Sequence, residues 1–294
     1  MAGKLYLVGT PIGNLGDFSS RAQQALTGAD FIAAEDTRVT LRLLNHFGIK
    51  KPMISYFEHN KFQRGEEIVS RLEAGETCAL VTDAGMPAIS DPGEDLVALC
   101  ATRGIEVVAV PGPCAAVTAL ALSGLPTGRF CFEGFLSVNK KNRFAHLEAV
   151  KDEPRTLIFY EAPHKLRATL RDMLTFFGNR RVALVREMTK IHEEVLRTTL
   201  EQAAEAYAHN EPRGEFVLVV EGKPSASQTL PARMEEPAPG KSAAVADDAA
   251  VEAAEALVER YLSEGMTRPE AVKRAARETG VNRSGLYKKS AGPS

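Results

Sequence analysis

The sequence predicts an α/β fold with two α/β domains and a small helical tail. Over the first 220 residues, apolar runs of strand length alternate with segments of helix length. Several of these runs, such as KLYLVGT at Lys4–Thr10, are uninterrupted, as expected of buried parallel strands. From Pro224 onward the chain becomes rich in proline, alanine and serine, and two further helix-length segments follow.

The first domain is predicted to cover residues 1–123. Its helices carry recognisable ends: serines cap the first, Gly48 and Gly75 end the second and third, and the fourth opens on proline and closes on glycine. The predicted strands are KLYLVGT, FIAAED, TCALVTD and IEVVAVPG. The predicted helices are SSRAQQALTGAD, TRVTLRLLNHFG, EEIVSRLEAG and PGEDLVALCATRG.

The second domain is predicted at residues 124–223, with the boundary near the turn-rich stretch SGLPTG, and its sheet is expected to be more mixed. Its strands are RFCFEGFL, TLIFYEAP, RRVALVRE, EEVLRTTL and GEFVLVVEG, and its helices are NRFAHLEAV, HKLRATLRDMLTFFG and LEQAAEAYAHN. Residues 224–248 read as a flexible linker, and residues 249–294 as a helix-turn-helix-like tail. From Tyr261 onward seven lysines and arginines stand against three acids, a net charge of +4.

Composition indicates an ordinary globular protein. The chain has 294 residues, 44% of them hydrophobic, and a net charge of −2 that favours no class of partner. No stretch approaches the length of a membrane span, and the N-terminal apolar run is too short for a signal peptide. The four cysteines form no CxxC pair and the six histidines are scattered, so we expect free thiols in a reducing cytoplasm and no metal.

Three predicted strand ends are unusually rich in glycine and proline: VGTPIGNLGD, VTDAGMPAISDPG and VPGPCAA. In open parallel sheets, ligands bind at the carboxyl ends of strands, and small residues let the backbone approach a ligand closely. No loop has the P-loop pattern, and the glycines of GTPIGNLG are wrongly spaced for a dinucleotide fingerprint. Because the loops also lack lysine and arginine, the expected ligand is neutral or cationic. One such loop alone would be ordinary turn chemistry, but three together favour ligand binding.

LYLVGTPIGNLGD, AEDTR, TDAGMPAISDPG and VPGPCAAVTAL together resemble the tetrapyrrole methylase family, the class III S-adenosylmethionine-dependent methyltransferases. FEGFL, FYEAPHKL, RVALVREMTKIHEE and RGEFVLVV resemble the branch that methylates the 2′-hydroxyl of a cytidine in bacterial 16S ribosomal RNA. The resemblance spans Lys4 to Gly222. It implies two α/β domains with S-adenosylmethionine folded in the cleft between them and a homodimer. It also implies that the small-subunit ribosomal RNA is the substrate, either free or within the assembled 30S particle.

The resemblance also implies cofactor contacts in the three loops. Asp83 suits a ligand with a positive sulfur and an ammonium group, although an aspartate there can also simply cap its own turn. Cys114 stands where the family often has serine, and a thiol is a weaker hydrogen-bond donor. The full set is Gly9, Pro11, Ile12, Asp83, Ala84, Gly85, Met86, Pro111, Gly112, Cys114 and Ala115, with Pro87 and Ser90 shaping the second turn.

Two charged clusters at strand ends are the catalytic candidates, because removing the proton of a ribose hydroxyl calls for a base or a cationic stabiliser. One is Glu35 and Asp36 in EDTR. The other is Arg186, Glu187 and Lys190 in REMTK, near Tyr160–Glu161 on another strand end. The alternative is structural: the first pair caps the next helix, and the second cluster pairs on the surface. Neither pattern selects a unique base.

Cations and stacking surfaces are the candidates for RNA contact. They are Arg38, Arg42, the loop YFEHNKFQR with Tyr56, Phe57, His59 and Asn60, the run NKKNR with Lys140, Lys141 and Arg143, and Lys273, Arg274 and Lys288 in the tail. Such runs can also be solvated faces, and the tail can instead brace a dimer. Two rival functions remain open: a small-molecule methylase acting on a corrinoid or porphyrin, and a non-enzymatic RNA-binding assembly factor.

Overall fold

The computed structural model describes residues 2–224 and 248–279. The chain divides into two compact units, residues 1–229 and residues 230–294. The first unit contains two five-stranded sheets with helices packed on them, and the second contains a pair of helices. The predicted α/β class with a helical tail is therefore confirmed.

The first sheet is entirely parallel, with strand order β3-β2-β4-β1-β5. All residues of β2 and β4 are buried, because each strand has a neighbour on both sides and apolar cores cover both faces of the sheet. Its elements are β1 (Lys4–Val8), α1 (Ser20–Gly28), β2 (Phe31–Ala34), α2 (Thr37–His46), β3 (Met53–Ser55), α3 (Lys61–Glu73), β4 (Cys78–Val81), α4 (Glu94–Thr102) and β5 (Glu106–Val110).

The second sheet is mixed, as predicted, with strand order β6-β7-β10-β8-β9. Only β6 and β7 are parallel, and β10 lies in the centre, antiparallel to both of its neighbours. Its elements are α5 (Ala115–Ser123), β6 (Phe130–Phe135), α6 (Lys140–Val150), β7 (Thr156–Glu161), α7 (Pro163–Phe177), β8 (Arg181–Arg186), β9 (Glu194–Thr199), α8 (Leu200–His209) and β10 (Phe216–Val220).

The predicted helix ends are confirmed by their capping contacts. Ser19 Oγ accepts a hydrogen bond from the Ala22 amide at 3.1 Å at the start of α1. Gly48 follows α2 with a φ of +66°, a conformation that glycine adopts without strain.

Two local predictions were wrong. α3 begins at Lys61, so the second half of YFEHNKFQR is helical rather than a loop. Tyr56 is only 1% exposed, because it packs into the core under α3, and it offers no stacking surface to RNA.

Helix α5 packs on the second sheet although it precedes the predicted domain boundary after Ser123. Ala116, Ala119 and Leu120 join the core formed by β7, β8 and β10. The change from the first core to the second therefore occurs at residues 111–113, ahead of that boundary.

The tail forms two helices, α9 (Asp248–Ser263) and α10 (Arg268–Thr279), joined by a turn at Gly265 with a φ of +88°. Val258, Tyr261, Val272 and Ala275 pack between them, so the predicted helix pair is confirmed. Most of the predicted linker and the end of the tail, including Lys288, lie outside the described residues. Within the described ranges, no helix combines the length and apolar character needed to cross a membrane.

Candidate active site

A cleft of about 460 Å³ lies where the loops of the first sheet face the ends of strands from the second. Both halves of the first unit contribute to its wall, as the resemblance implied. The lining residues are Ile12, Glu35, Asp83, Ala84, Gly85, Met86, Ile89, Asp91, Cys114, Ala115, Phe135, Tyr160, Glu161, Ala162, Pro163, Glu187, Met188, Lys190, Glu215, Phe216 and Val217.

The first two loops are joined by backbone hydrogen bonds. The Thr10 amide donates to the Gly85 carbonyl at 2.9 Å, and the Gly85 amide donates to the Thr10 carbonyl at 3.1 Å. Thr10 Oγ1 also donates to the Thr82 carbonyl at 3.1 Å. Gly85 has a φ of +90°, which explains glycine at this position. The two loops therefore act as one rigid wall.

Acidic side chains form the floor of the cleft on the side of the first sheet. Asp83 Oδ1 accepts a hydrogen bond from the Asp36 amide at 3.1 Å, and the Asp83 amide donates to Glu35 Oε2 at 3.4 Å. These reciprocal bonds join the ends of the neighbouring strands β2 and β4. Asp83 thus bonds across to the next strand end rather than capping its own turn.

Partial burial and neighbouring acids raise the pKa of each floor acid. Burial is the largest cause for Glu35 and for Asp83. The pKa of Asp91 rises to about 7, first through burial and then through the charges of Glu35 and Asp83. Such a group of carboxyls favours a bound cation.

No group of three or more possible metal-binding side chains is found within residues 2–224 and 248–279.

Aromatic residues of the second sheet form the opposite wall. Tyr160, on β7, accepts a hydrogen bond at its hydroxyl oxygen from the Ala116 amide at 3.1 Å, which satisfies a free amide at the start of α5. The rings of Phe132 and Phe135 meet Tyr160 edge-on at 5.1 and 5.4 Å. Burial raises the pKa of Tyr160 to about 12, so its hydroxyl stays protonated and can also donate.

The connection between β8 and β9 supplies an ion pair to the cleft. Glu187 Oε1 accepts from Lys190 Nζ at 2.9 Å and from the Glu215 amide at 3.2 Å. The hydrogen bond from Lys190 is the main cause that lowers the pKa of Glu187. Gly214 lies beneath this carboxylate, since a Cβ there would come within 2.6 Å of Glu187 Oε1.

The two halves also touch at the rim of the cleft. A Cβ on Gly13 would lie 2.5 Å from Lys190 Cγ, and a Cβ on Gly134 would lie 3.2 Å from Ser90 Oγ. The loops that make these contacts are conformationally strained. In the described part of the chain, the non-glycine residues with positive φ are Ala88, Ser90, Glu187 and Thr189, all in loops that border the cleft. Strain concentrated this way is typical of functional sites.

The structure divides the predicted cofactor residues into two groups. Ile12, Asp83, Ala84, Gly85, Met86, Cys114 and Ala115 line the cleft. The others stand behind or beside it: Gly9 and Gly112 pack against each other, Pro87 is buried, Pro111 is exposed, Ser90 lies against Gly134, and Pro11 lines a second cavity.

The predicted catalytic residues divide in the same way. Glu35, Glu187 and Lys190 line the cleft. Asp36 caps α2 by accepting from the Arg38 amide at 2.8 Å, and the Arg38 side chain lowers the pKa of Asp36 to about 2. Arg186 pairs with Glu194 at 2.7 Å across β8 and β9 and is not among the residues that line the cleft.

Several predicted RNA contacts already have partners within the chain. Arg38 is bound to Asp36 and Arg274 to Glu278, but both remain exposed. Arg143 is held by Asp172 at 2.7 Å, and its side chain is only 14% exposed. Asn60 accepts from the Phe57 amide at 2.8 Å and so orders its turn. The other described candidates are exposed residues: Arg42, His59, Lys140, Lys141 and Lys273.

Part of the cleft is formed by residues that no sequence motif predicted. Asp91 is one of only two acids in VTDAGMPAISDPG, and that scarcity was the available signal. Ile89 lies in the same stretch. Nothing in the local pattern marks the other residues, because they join the cleft only when the second sheet folds. They are Phe135, Ala162, Pro163, Met188, Glu215, Phe216 and Val217.

Comparison with known proteins identifies the family of this chain. The family model "Tetrapyrrole (Corrin/Porphyrin) Methylases" matches residues 4–204. A protein of Synechocystis called ribosomal RNA small subunit methyltransferase I is 45% identical, and the match covers 97% of this chain and 96% of that protein. A protein of Halalkalibacterium halodurans with the same name is 47% identical, over 97% of this chain and 93% of its own.

Among solved structures, a uroporphyrin-III-C-methyltransferase from Thermus thermophilus has the same fold. It superposes with a TM-score of 0.53 at 21% identity, over 75% of this chain and 94% of that one. The family model and relatives that are this similar over almost the whole length confirm the resemblance in the sequence motifs. The chain belongs to the tetrapyrrole methylase family, in the branch of the proteins called ribosomal RNA small subunit methyltransferase I.

Proposed function

We propose that this chain transfers a methyl group from S-adenosylmethionine to the ribose 2′-hydroxyl of a cytidine in 16S ribosomal RNA. The observation that carries the proposal is a cleft with an acidic floor, bordered by the motif loops, in a chain that is 45% identical to a ribosomal RNA small subunit methyltransferase I. The substrate class comes from that relationship and the cofactor class from the family.

The residues of the cleft fit this cofactor. Glu35, Asp83 and Asp91 repel one another, and a ligand with a positive sulfur and an ammonium group relieves that repulsion. Met86 and Tyr160 offer apolar surface to an adenine ring, and the described residues that line the cleft include no cluster of cations to hold a pyrophosphate. The cofactor would be held by Asp83, the backbone of residues 84–86, residues 114–115 and the aromatic wall. When bound, it supplies a methyl group activated by the positive charge on sulfur.

The chain itself must orient the ribose, exclude water and accept a proton. Lys190 lines the cleft with its ammonium group held by Glu187, and it is placed to stabilise negative charge on an attacking oxygen. Asp91 joins the candidates for the base, because a proton acceptor works best with a pKa near the working pH. Glu35 and Asp36 stay candidates for the base, and Arg186 stays a candidate for the cationic stabiliser. Asp36 and Arg186 would act from outside the lining of the cleft.

The RNA would be held by exposed cations around this site. Arg38, Arg42, His59, Lys140 and Lys141 are the exposed candidates of the first unit, and Lys273 and Arg274 those of the described tail. We further propose that the enzyme works in the cytoplasm as a homodimer, on RNA that is either free or within the 30S particle. Exposed apolar residues such as Val117, which is 53% exposed, and Ile191, which is 96% exposed, are available for such a contact.

Methyl transfer to ribosomal RNA from a strain lacking this gene tests the proposal. The native protein should restore one 2′-O-methylcytidine in the small-subunit RNA, and mapping that modification identifies the nucleotide. Methylation of a porphyrin or corrinoid instead, or binding of RNA without transfer, would support one of the rivals.

A matched pair of variants tests whether the cleft binds the cofactor. Gly85→Arg introduces a large side chain where a Cβ would already lie 3.5 Å from Ile12 Cγ2, and it should abolish binding of S-adenosylhomocysteine measured by calorimetry. Gly104→Arg is the control, because Gly104 also has a positive φ but no atom of the described residues lies within 4 Å of its Cβ position. Unchanged affinity in Gly85→Arg would contradict the assignment.

The catalytic candidates are tested by single-turnover rates at saturating cofactor. Removing a residue that takes part in proton transfer should lower the rate by roughly 10²–10⁴-fold. Glu187→Gln keeps the shape of the side chain, and Asp36→Asn keeps a side chain that can cap α2. A variant with a normal rate would give that residue a structural role only.

A further inference from the structure

A second cavity of about 360 Å³ lies in the first half of the chain, beside the cleft. It is bounded by the loop after β1, by one face of α2 and by the end of β4. Its lining residues are Thr10, Pro11, Gly13, Leu15, Val39, Thr40, Arg42, Leu43, His46, Thr82 and Asp83. Asp83 lines both cavities, and the consecutive residues Pro11 and Ile12 line different ones, so this loop and Asp83 form the partition between them.

We propose that this second cavity receives the base of the nucleotide that is methylated. The inference rests on the proposed function, and it assigns a substrate site that is separate from the cofactor cleft. Enzymes that react with a base extrude the nucleotide into a pocket that stacks and hydrogen-bonds that base, and a similar pocket would fix the base here while the ribose reacts. A volume of 360 Å³ lies within the range of about 300–1,000 Å³ typical of small-ligand pockets.

The walls suit the faces of a base. Pro11, Leu15, Val39 and Leu43 provide apolar surface, and two of them are exposed: Leu15 by 44% and Val39 by 36%. Stacking of a base on such surface would cover them. Exposed apolar groups that border a concave site are typical of ligand binding.

One polar atom in this cavity lacks a partner. Thr40 is 3% exposed, and its Oγ1 makes no hydrogen bond with any described residue. An unpaired buried hydroxyl costs free energy unless a ligand satisfies it. A hydroxyl can donate to a ring nitrogen or carbonyl of a pyrimidine, or accept from its amino group, so Thr40 is suited to the polar edge of the base.

The second cavity is less acidic than the cleft. Arg42 and His46, one turn apart on α2, line it beside a single acid, Asp83, which it shares with the cleft. The cleft has a floor of three acids. A polyanion is therefore better tolerated at the second cavity than at the cleft, which suits a cation. With the base in one cavity and the cofactor in the other, the ribose would lie near Asp83 at the partition.

A pair of tryptophan variants on α2 tests this site. Val39→Trp fills the second cavity, whereas Leu41→Trp adds the same bulk to a residue that is 46% exposed and lines neither cavity. Val39→Trp should lower kcat/KM for small-subunit RNA by about tenfold or more, because the indole would occupy the space proposed for the base and misplace the ribose. Its affinity for S-adenosylhomocysteine should stay unchanged, and Leu41→Trp should behave like the native protein.

Two milder variants separate the roles of the polar groups. Thr40→Val keeps the size of the side chain and should raise the RNA KM while leaving the salt dependence of RNA binding unchanged. Arg42→Gln should flatten that dependence by about 0.7–0.9 in slope if it contacts one phosphate. Lys50→Gln, an exposed lysine beyond α2, is the control for loss of charge.

Direct binding distinguishes a failure of this site from a failure of the proposed function. Cytidine 5′-monophosphate is titrated onto the full chain saturated with S-adenosylhomocysteine. Weaker binding to Val39→Trp than to Leu41→Trp supports the site even if the native protein methylates no ribosomal RNA, a result that would overturn only the function. Native kcat/KM and native nucleotide affinity in Val39→Trp would overturn the site. So would the loss of S-adenosylhomocysteine binding in that variant, which would assign the cavity to the cofactor.

Discussion

Gly9 and Gly112 pack backbone against backbone behind the cleft. A Cβ on Gly9 would lie 2.6 Å from Gly112 Cα, and a Cβ on Gly112 would lie 2.8 Å from Gly9 Cα. Real side chains essentially never approach so closely, so one of the two loops would have to move. The distance between the loop after β1 and the loop after β5 therefore depends on this pair, although neither glycine lines the cleft.

Gly112→Ala should accordingly separate the loops. We expect a lower melting temperature, since small-to-large changes in packed sites cost typically ~1–3 kcal/mol, and at least tenfold weaker binding of S-adenosylhomocysteine. Gly128→Ala is the control, because no atom of the described residues lies within 4 Å of its Cβ position. If Gly112→Ala bound the cofactor normally and melted at the native temperature, the pair would have no such role.

Asp91 should make cofactor binding depend on pH near neutrality. Its pKa of about 7 means that the carboxyl is largely neutral below pH 7 and negative above it. A cationic ligand should therefore bind more tightly as the pH rises from 6 to 8. The affinity for S-adenosylmethionine, measured by calorimetry, should depend less on pH in Asp91→Asn than in the native protein. Asp17 is an exposed acid outside the cleft, so Asp17→Asn should keep the native pH dependence. The same slope in Asp91→Asn and the native protein would exclude Asp91 as its source.

The same pKa predicts the sign of a stability effect. The folded state holds the Asp91 proton up to about pH 7, whereas the unfolded chain releases it near its ordinary value of 3.8. Stability contributed by this proton is present at low pH and lost as the pH rises towards 7. Asp91→Asn should therefore melt at a higher temperature than the native protein at pH 8. That difference should shrink on acidification towards pH 4, and calorimetric scans across this range check it.

Tyr160→Phe should weaken the joint between β7 and α5. The variant removes the oxygen that accepts from the Ala116 amide but keeps the ring among Phe132 and Phe135. Loss of a helix-capping acceptor costs about 0.5–2 kcal/mol, so the free energy of unfolding in urea should fall by this amount. Tyr207→Phe is the control, because it removes a hydroxyl from the core on the opposite face of the second sheet and Tyr207 does not line the cleft. No loss of stability in Tyr160→Phe would mean that water replaces the hydroxyl at no cost.

Truncation after Pro224 should leave cofactor binding intact and show whether RNA binding depends on the tail. The strands of the first unit end at Val220, and Lys223 keeps its ion pair with Asp152, so S-adenosylhomocysteine binding should be unchanged. If the tail grips RNA, truncation should weaken RNA binding and lower its salt slope by about 0.7–0.9 for each phosphate that the tail had neutralised. Sedimentation of the same protein tests the alternative: a monomer with an unchanged salt slope would make the tail a dimer brace.

The sequence was most informative where one local rule decides the structure. Strands such as β4, buried on both faces, appear as unbroken apolar runs, and glycine-proline loops at strand ends mark the first wall of the cleft. Helix α5 escaped prediction because its residues are apolar on most sides and show no 3.6-residue period. Tyr56 stands in a polar stretch, and only its position beneath α3 buries it.

The far wall of the cleft depends on contacts between distant parts of the chain. Tyr160 reaches the start of α5, and Glu187 lies over Gly214. Asp91 owes its raised pKa to burial and to Glu35 and Asp83, which come from two other strand ends. Resemblance identified the loops because they are contiguous in sequence. It did not identify residues whose role arises only from the packing of one half against the other.

Because β10 is the central strand of the second sheet, the two sheets are completed at different times during synthesis. The first sheet is complete once Val110 has been made, but the second lacks its middle strand until Val220. At translation rates of about 5–20 residues per second, the finished first sheet waits roughly 5–20 seconds for the other half. A nascent chain thus passes through a stage in which β7 and β8 exist without the strand that joins them. The cleft is therefore among the last features of the first unit to form on the ribosome that makes it.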